Sequence, residues 1–330
     1  MLRIGILGLG TGERHIEAFE AHPGCRVTVL SDVDEDKLRQ VGERHPCKRL
    51  EDKPDKLLAD PDLDLISIAT PDNLHFQQAT AALKHGRHVF VEKPLCLTAE
   101  ESHALRQTLT ENPLLHLSSN LPLRVSSRFA KLKRSLDAGE FGEVYYLEGD
   151  YLYGRLEKLT DGWRGRIPYY SVMLGGGLHL VDLVLWLTGD RVEEVTTYGN
   201  RISTRGTAFV HPDFAVSLLR FASGAIAKIS ANFGCRRPHF HGLEVHGTRK
   251  LFVNHPEHGT VYGSTAKKDE PALEETPYRD YRKPDLFTSF IDQVLGRGSA
   301  LVSQDEVFRA MDVCLAMEQS LLQEKPVTLN

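Results

Sequence analysis

Long hydrophobic runs are missing from this 330-residue chain. One apolar stretch, 171–189, is too short for a membrane span and carries His179 and Asp182 three residues apart on one helical face, which excludes a spanning helix there. Cysteine is scarce and unpatterned. Cys25, Cys47, Cys96, Cys235 and Cys314 are odd in number, scattered and without Cys-x-x-Cys spacing, so a disulfide framework is excluded and free thiols are expected. No cluster of Lys and Arg stands out and the formal net charge is only -5, which argues against a nucleic-acid or membrane partner and leaves a small neutral or anionic ligand. The N-terminus shows neither the apolar core nor the cleavage site of a secretory signal, so a cytoplasmic location is expected. No repeat or low-complexity tract is found.

What remains is an ordinary globular composition, 41% hydrophobic and 26% charged, with length enough for two domains of about 150 residues each. The organising stretch is Leu2 to Ala21. A short apolar run breaks into Gly8-Leu-Gly10-Thr11-Gly12 and then into a helical pattern, as in a strand-turn-helix phosphate cradle. Gly8 suits the tight turn, Gly10 lets the backbone approach a pyrophosphate, and the start of the following helix attracts its charge. The third glycine of the usual spacing is absent at Glu13, and Gly12 stands one position early. The next strand, Cys25 to Asp32, ends in an acid near the ~20 residues that the dinucleotide fingerprint requires. A carboxylate there accepts ribose hydroxyls and repels a 2′-phosphate. With Asp34, Glu35 and Asp36 adding negative charge, NAD is expected rather than NADP. The competing reading makes Asp32 a cap for the helix starting near Asp34.

Strands then alternate with helices: a helix at 35–43, another at 52–58, the buried strand Leu65–Ala69, a helix at 74–85 ended by Gly86, and the strand His88–Val91. This pattern predicts a doubly wound parallel sheet, an α/β Rossmann arrangement, with its ligand crevice at the carboxyl ends of the strands. Gly8 to Gly12, Asp32, Thr70 to Asn73 and Glu92 to Pro94 all follow strands.

Ala69-Thr-Pro-Asp-Asn-Leu-His75, followed by Ala82-Leu-Lys-His-Gly-Arg-His-Val-Phe-Val-Glu-Lys-Pro94, resembles the signature of the Gfo/Idh/MocA oxidoreductases, and the resemblance runs along nearly the whole chain. It implies that Lys93 is the active-site lysine and that Thr70, Pro71, His75, Glu92 and Pro94 lie near the cofactor. Thr11 and Asn120 complete that expected set. A lysine beside the nicotinamide and a substrate oxygen is suited to stabilise a developing alkoxide or relay its proton.

From about residue 122 the pattern changes. An amphipathic helix at 128–139 leads into an alternating strand at 142–148. Further alternating segments at 192–198, 214–221, 226–233 and 243–253 predict a large, mostly antiparallel sheet in an α+β domain spanning 122–330, after a dinucleotide domain at 1–121. One sheet face is expected to pack on helices; the resemblance implies a homodimer or homotetramer formed through the other. Gly175-Gly-Gly-Leu-His179 resembles the start of the family's catalytic helix, making His179 an acid/base candidate, with a structural histidine as the alternative. The family's aspartate four residues earlier is replaced by Gly175, and Asp182 is a candidate to orient His179 or contact substrate.

Tyr151, Tyr153, Arg155, Trp163, Arg164 and Arg166 crowd aromatic and guanidinium groups into an expected loop, suited to a sugar ring carrying an anionic group; a domain contact is the alternative. Tyr153, Arg155, Trp163 and Arg164 join Lys93, His179 and Asp182 as expected substrate contacts. His239-Phe-His241 lacks partners with convincing metal-ligand spacing, so no metal is expected and an active-site rim is preferred. The expected function is an NAD-dependent dehydrogenase or ketoreductase acting on a secondary hydroxyl of a sugar, cyclitol or sugar nucleotide. The alternatives are an NAD-dependent glycoside hydrolase with transient redox steps and a non-catalytic NAD-binding regulator.

Overall fold

The structure, a computed structural model, describes residues 1–46, 48–266, 270–278 and 283–329. It divides into two compact units: Met1–Leu121 with Arg282–Phe308, and Pro122–Tyr281 with Arg309–Asn330.

In the first unit, β1 (Leu2–Leu7), β2 (Cys25–Ser31), β3 (Arg49–Glu51), β4 (Leu65–Ile68), β5 (His88–Val91) and β6 (Leu117–Ser119) form one sheet in the order β3-β2-β1-β4-β5-β6. Every pairing is parallel. Helices α1 (Glu13–Glu20), α2 (Glu35–Arg44), α3 (Pro54–Leu58), α4 (His75–Lys84) and α5 (Ala99–Glu111) make the crossovers. Ile4, Ile6, Leu65, Ile66, Ile68, Val89 and Phe90 have no exposed surface, which is why these strands read as unbroken apolar runs. The order reverses between β1 and β4, the place where a doubly wound sheet opens a ligand crevice.

In the second unit, α6 (Ser127–Asp137) precedes the long strand β7 (Val144–Leu152), and the short α7 (Glu157–Thr160) and α8 (Leu178–Thr188) follow. Then come β8 (Val192–Asn200), β9 (Phe214–Phe221), β10 (Ile226–Asn232), β11 (Phe240–Gly247), β12 (Leu251–Asn254), β13 (Gly259–Tyr262) and β14 (Ala272–Glu274). Helices α9 (Lys283–Val294) and α10 (Gln304–Gln323) and the two-residue β15 (Val327–Thr328) close the chain. The nine strands run β14-β13-β12-β11-β7-β10-β9-β8-β15. All pairs are antiparallel except β7 with β10, giving the mostly antiparallel sheet expected. Alternation sets its faces: Ala215, Ser217, Leu219 and Phe221 of β9 point inward, while Leu218 and Arg220 face out. Helix α8, apolar nearly all round, covers the inner face, where Leu180 approaches Gly149 of β7.

Several expectations are corrected. The sequence reading assigned all of 122–330 to the second domain, yet 282–308 counts with the first unit. Phe287 of α9 supplies the reason: its ring lies 4.4 Å from that of Phe90 and 4.9 Å from that of Phe19. Asp292 adds a 3.1 Å contact to His22. Tyr151 sits in β7, not in a loop, and the single segment read at 243–253 is two strands joined by a turn. None of Cys25, Cys96, Cys235 and Cys314 is in a disulfide; the expectation for Cys47 lies outside the described residues.

Arg128, fully buried on α6, ties the second unit together. Its guanidinium donates to Asn254 Oδ1 and to the carbonyls of His255, Glu257 and Thr276 at 2.7–2.8 Å. Without it, the buried Asn254 Oδ1 and three part-buried carbonyls lose their donor. Arg128→Met is therefore expected to lower unfolding free energy by about 3 kcal/mol or more. Urea denaturation should show this as a lower midpoint at unchanged slope.

Candidate functional site

The glycine turn of the first unit is built around close approach. Gly8 has φ +87°, and a Cβ there would lie 2.7 Å from the carbonyl of Ala69 at the end of β4. A Cβ on Gly12 would lie 2.1 Å from Gly8 O. At Gly10, by contrast, a Cβ would meet nothing within 4 Å, so bare backbone faces open space beside the exposed Thr11 and the start of α1. This is a cradle of the kind a pyrophosphate fills. The displaced third glycine is explained by the same contact: Gly12, not residue 13, packs under the turn.

Asp32 follows β2 and is 8% exposed. One oxygen accepts the Leu9 N–H at 2.7 Å, which fixes the turn, and the other accepts the Asp34 N–H at 3.0 Å. The helix cap is Asp34, whose side chain accepts from Lys37 N, so the capping role considered for Asp32 belongs to its neighbour. Each Asp32 oxygen keeps a lone pair for a ribose hydroxyl. Lys37 Nζ lies 3.6 Å from this carboxylate. Sequence reasoning missed that cation, which sits in the first turn of α2 with no pattern to mark it. The donor set fits a dinucleotide: turn amides for the pyrophosphate and an acid at the ribose position.

The ends of β4, β5 and β6 are joined by polar contacts. Thr70 Oγ1 bonds Gln78 at 2.6 Å, and Pro71 leads into the turn Asp72–Leu74. Fully buried His75 bridges Thr70 O and Pro94 O at 2.8 and 2.7 Å, strapping the two signature turns together. Glu92 Oε1 meets His15 Nε2 at 3.1 Å and accepts from Asn120 Nδ2 at 2.7 Å; His15 Nδ1 reaches Ser67 Oγ at 2.9 Å. Burial would raise the Glu92 pKa, but the His15 and Asn120 hydrogen bonds and the charges of His15 and Lys93 outweigh it, holding it at about 2. Lys93, half-buried, follows directly. His15 and Ser67 were not legible as partners of Glu92, because each lies on a different element.

In the second unit, the inner face of the large sheet carries an aromatic and imidazole cluster. Tyr151 and His241 face each other across the β7–β11 pairing, their ring centroids 5.4 Å apart. Tyr151 stacks toward Tyr153 at 5.6 Å and toward His179 at 6.0 Å; His239 lies 5.0 Å from Tyr151 and 4.8 Å from His241. Burial, reinforced by Tyr170 and Tyr153, raises the Tyr151 phenol well above its ordinary pKa. His241 Nδ1 is anchored to Tyr278 Oη at 2.6 Å. From 171 to 180 only His179 retains appreciable exposure.

Arg155 lies over the Tyr153 ring at 5.2 Å, and Arg164 over Trp163 at 4.6 Å. Arg164 Nε also donates to Tyr170 Oη at 3.0 Å. That hydroxyl explains Gly175, where a Cβ would lie 2.2 Å from it. Asp182 is 1% exposed and receives the Arg124 guanidinium through two nitrogens, at 2.6 and 3.0 Å, so this carboxylate, expected at the substrate, is engaged in an internal ion pair. Among the described residues no group of His, Cys, Asp and Glu suits a metal.

The Glu92 carboxylate gives a pH signature. Because its folded pKa, about 2, lies below the ordinary value of 4.5, its stabilisation is present above pH 4.5 and is lost as pH falls toward 2. Glu92→Gln is expected to flatten the acid-side fall of unfolding free energy over that window, read by chemical denaturation at stepped pH.

Comparison with known proteins places this geometry. A model described as "Oxidoreductase family, NAD-binding Rossmann fold" matches residues 2–119, and the Gfo/Idh/MocA C-terminal domain matches residues 129–253. The chain is similar to myo-inositol 2-dehydrogenase of Thermotoga maritima, 27% identical over 349 residues covering 100% of this chain and 99% of that protein. Two solved structures share the fold. Levoglucosan dehydrogenase in complex with NADH and L-sorbose has TM-score 0.88 at 21% identity, covering 100% and 99% of the two chains. Scyllo-inositol dehydrogenase from Lactobacillus casei, with NAD(H) and scyllo-inositol bound, has TM-score 0.80 at 17% identity, covering 99% of each. The chain belongs to the Gfo/Idh/MocA family of NAD-binding oxidoreductases.

Proposed function

We propose that this protein oxidises a secondary hydroxyl of a sugar or cyclitol, or reduces the matching ketone, with NAD bound at the glycine turn. The observation that carries the reading is His179, the partly exposed member of an otherwise buried helix start, set against the stacked rings of Tyr151 and Tyr153. Aromatic faces of this kind receive the C–H faces of a sugar ring. The inositol dehydrogenase resembled along its whole length supports the same substrate class.

In this reading the nicotinamide supplies hydride chemistry at the substrate carbon. His179 takes the hydroxyl proton as the carbonyl forms and returns it in reduction. Lys93 is suited to steady the negative charge that develops on a substrate oxygen. Thr11, Thr70, Pro71, Pro94 and Asn120 border the cofactor, with Asn120 also holding Glu92. Asp182 acts as a positioning group, held by Arg124 one helical turn along from His179.

The outward face of the large sheet supports a homo-oligomer. Tyr198, Leu218, Ile226 and Leu273 share that face and are 69%, 53%, 46% and 63% exposed. The absence of disulfides among the described cysteines accords with a cytoplasmic setting.

Lys93→Ala and His179→Ala are each expected to lower kcat by at least about 100-fold while NADH binding, followed by fluorescence, persists. Near-wild-type turnover in either variant would overturn its assignment. Leu218→Glu is expected to shift the mass measured by light scattering toward that of a single chain.

A further inference from the structure

Helical geometry around His179 starts before α8. It begins at Val172 and runs without a break into Leu178–Thr188, but Met173–Gly177 is a wide turn in which the Leu178 N–H reaches back five residues to Met173 O. Turns of this kind recur at functional sites. Its glycines have no side chains with which to define it. A Cβ on Gly175 would lie 2.2 Å from Tyr170 Oη, and one on Gly176 would lie 2.4 Å from Tyr151 Cε1, so the close approach of two phenol side chains keeps both positions bare. Consecutive glycines also make a poor helix. The direction in which His179 leaves this turn therefore has to be fixed from outside it.

Ser171 does this at the near end. Its Oγ accepts the Met173 and Leu174 N–H groups at 3.1 and 3.0 Å, and its carbonyl accepts the Gly175 N–H at 2.9 Å, so one residue holds three successive amides of the helix start. Both lone pairs of the hydroxyl are thereby used. Its proton goes to Glu318 Oε1 of α10 at 2.5 Å, and the other Glu318 oxygen takes the Tyr169 hydroxyl. Ser171 and Glu318 are both buried, and burial raises the Glu318 pKa against the lowering effect of these two bonds. One helical turn earlier on α10, the fully buried Cys314 has its thiol raised by burial and by the charges of Glu318 and Asp182, so α10 runs beside α8 beyond His179 as well as before it.

We propose that Ser171 and Glu318 are positioning residues for His179: the Glu318 carboxylate holds the Ser171 hydroxyl in the rotamer that caps the wide turn, and the turn sets where the His179 imidazole stands against Tyr151. This rests on the reading of His179 as the proton-transfer group, and the state of its ring is measured separately from turnover so that the two fail apart. Buried polar pairs of this kind add little net stability and serve to specify one geometry. Hydrogen bonding rather than charge carries the effect. Glu318→Gln keeps an acceptor for Ser171 and supplies an N–H to Tyr169 Oη, whereas Glu318→Ala removes both.

The test uses the NADH-loaded full chain carrying nitrogen-labelled histidine, in which the ring resonances of His179 are those lost in His179→Gln. Ser171→Ala and Glu318→Ala are expected to broaden or double them, reporting more than one ring orientation, while Ser171→Thr and Glu318→Gln keep the single wild-type set. Turnover is followed in parallel with NAD and myo-inositol or D-glucose. In the two alanine variants kcat is expected to fall at least about tenfold with KM within about twofold, and in the two conservative variants to stay within about threefold of wild type. NADH affinity and the urea midpoint report the fold; should Glu318→Ala not fold, Ser171→Ala against Ser171→Thr decides the same question. An unchanged His179 ring in Ser171→Ala overturns the proposal, as does Glu318→Gln behaving like Glu318→Ala. If neither probe is oxidised, the resonances decide alone. Wild-type turnover in His179→Gln, with the ring still disordered by Ser171→Ala, refutes the acid/base reading and leaves the positioning standing. Loss of kcat in Ser171→Ala without any change at the ring does the reverse.

Discussion

The carboxylate of Glu92 is the contact on which the ligand-facing edge of the first sheet depends. It follows β5, receives His15 from α1 and Asn120 from the end of β6, and through His15 reaches Ser67 inside β4. A buried carboxylate is tolerable only when its oxygens are paired, and here the pairing recruits elements from across the sheet. Lys93, next in sequence, is thereby carried on a rigid support. His75 does the same for the neighbouring turns with two carbonyl contacts. The polar groups behind the signature residues hold the backbone of these turns still.

The second unit reaches similar rigidity by a different route. Arg128 fixes the carbonyls of His255, Glu257 and Thr276; Tyr278 follows two residues on and fixes His241 through its hydroxyl. His241 then packs against Tyr151, and Tyr151 against His179. A buried cation at one end of this series is matched by a polar, partly exposed imidazole at the other. Arg124, from the turn before α6, pairs with Asp182 of α8, so the helix is also held one turn beyond His179.

Much of the first unit was legible in sequence because its strands are buried on both faces and its turns are marked by glycine, proline and acid. The exceptions are short. β3 and β6 have three residues each, and Arg49–Glu51 carries no apolar alternation to detect. Residues 282–308 were misassigned because chain order gives no hint that Phe287 packs beside Phe90. The second unit was legible as alternating strands, but its site was only partly so. Tyr151 was quoted within the right stretch and given the wrong element. Asp182 looked available because its partner, Arg124, lies 58 residues earlier. Gly175 read as the loss of a functional side chain; the structure shows its place filled by the Tyr170 hydroxyl, a contact that no spacing rule encodes.

One feature of the large sheet bears on how such a protein diversifies. β7 and β10 are neighbours, and they are its only parallel pair among the described strands. Parallel neighbours require the chain to leave one end and return to the other. Everything from residue 153 to 225 is that excursion, and it contains Arg155, Trp163, Arg164 and His179. Insertions or exchanges in its irregular portions leave the central register untouched, so new ligand preferences can be explored on a frame that never has to be rebuilt.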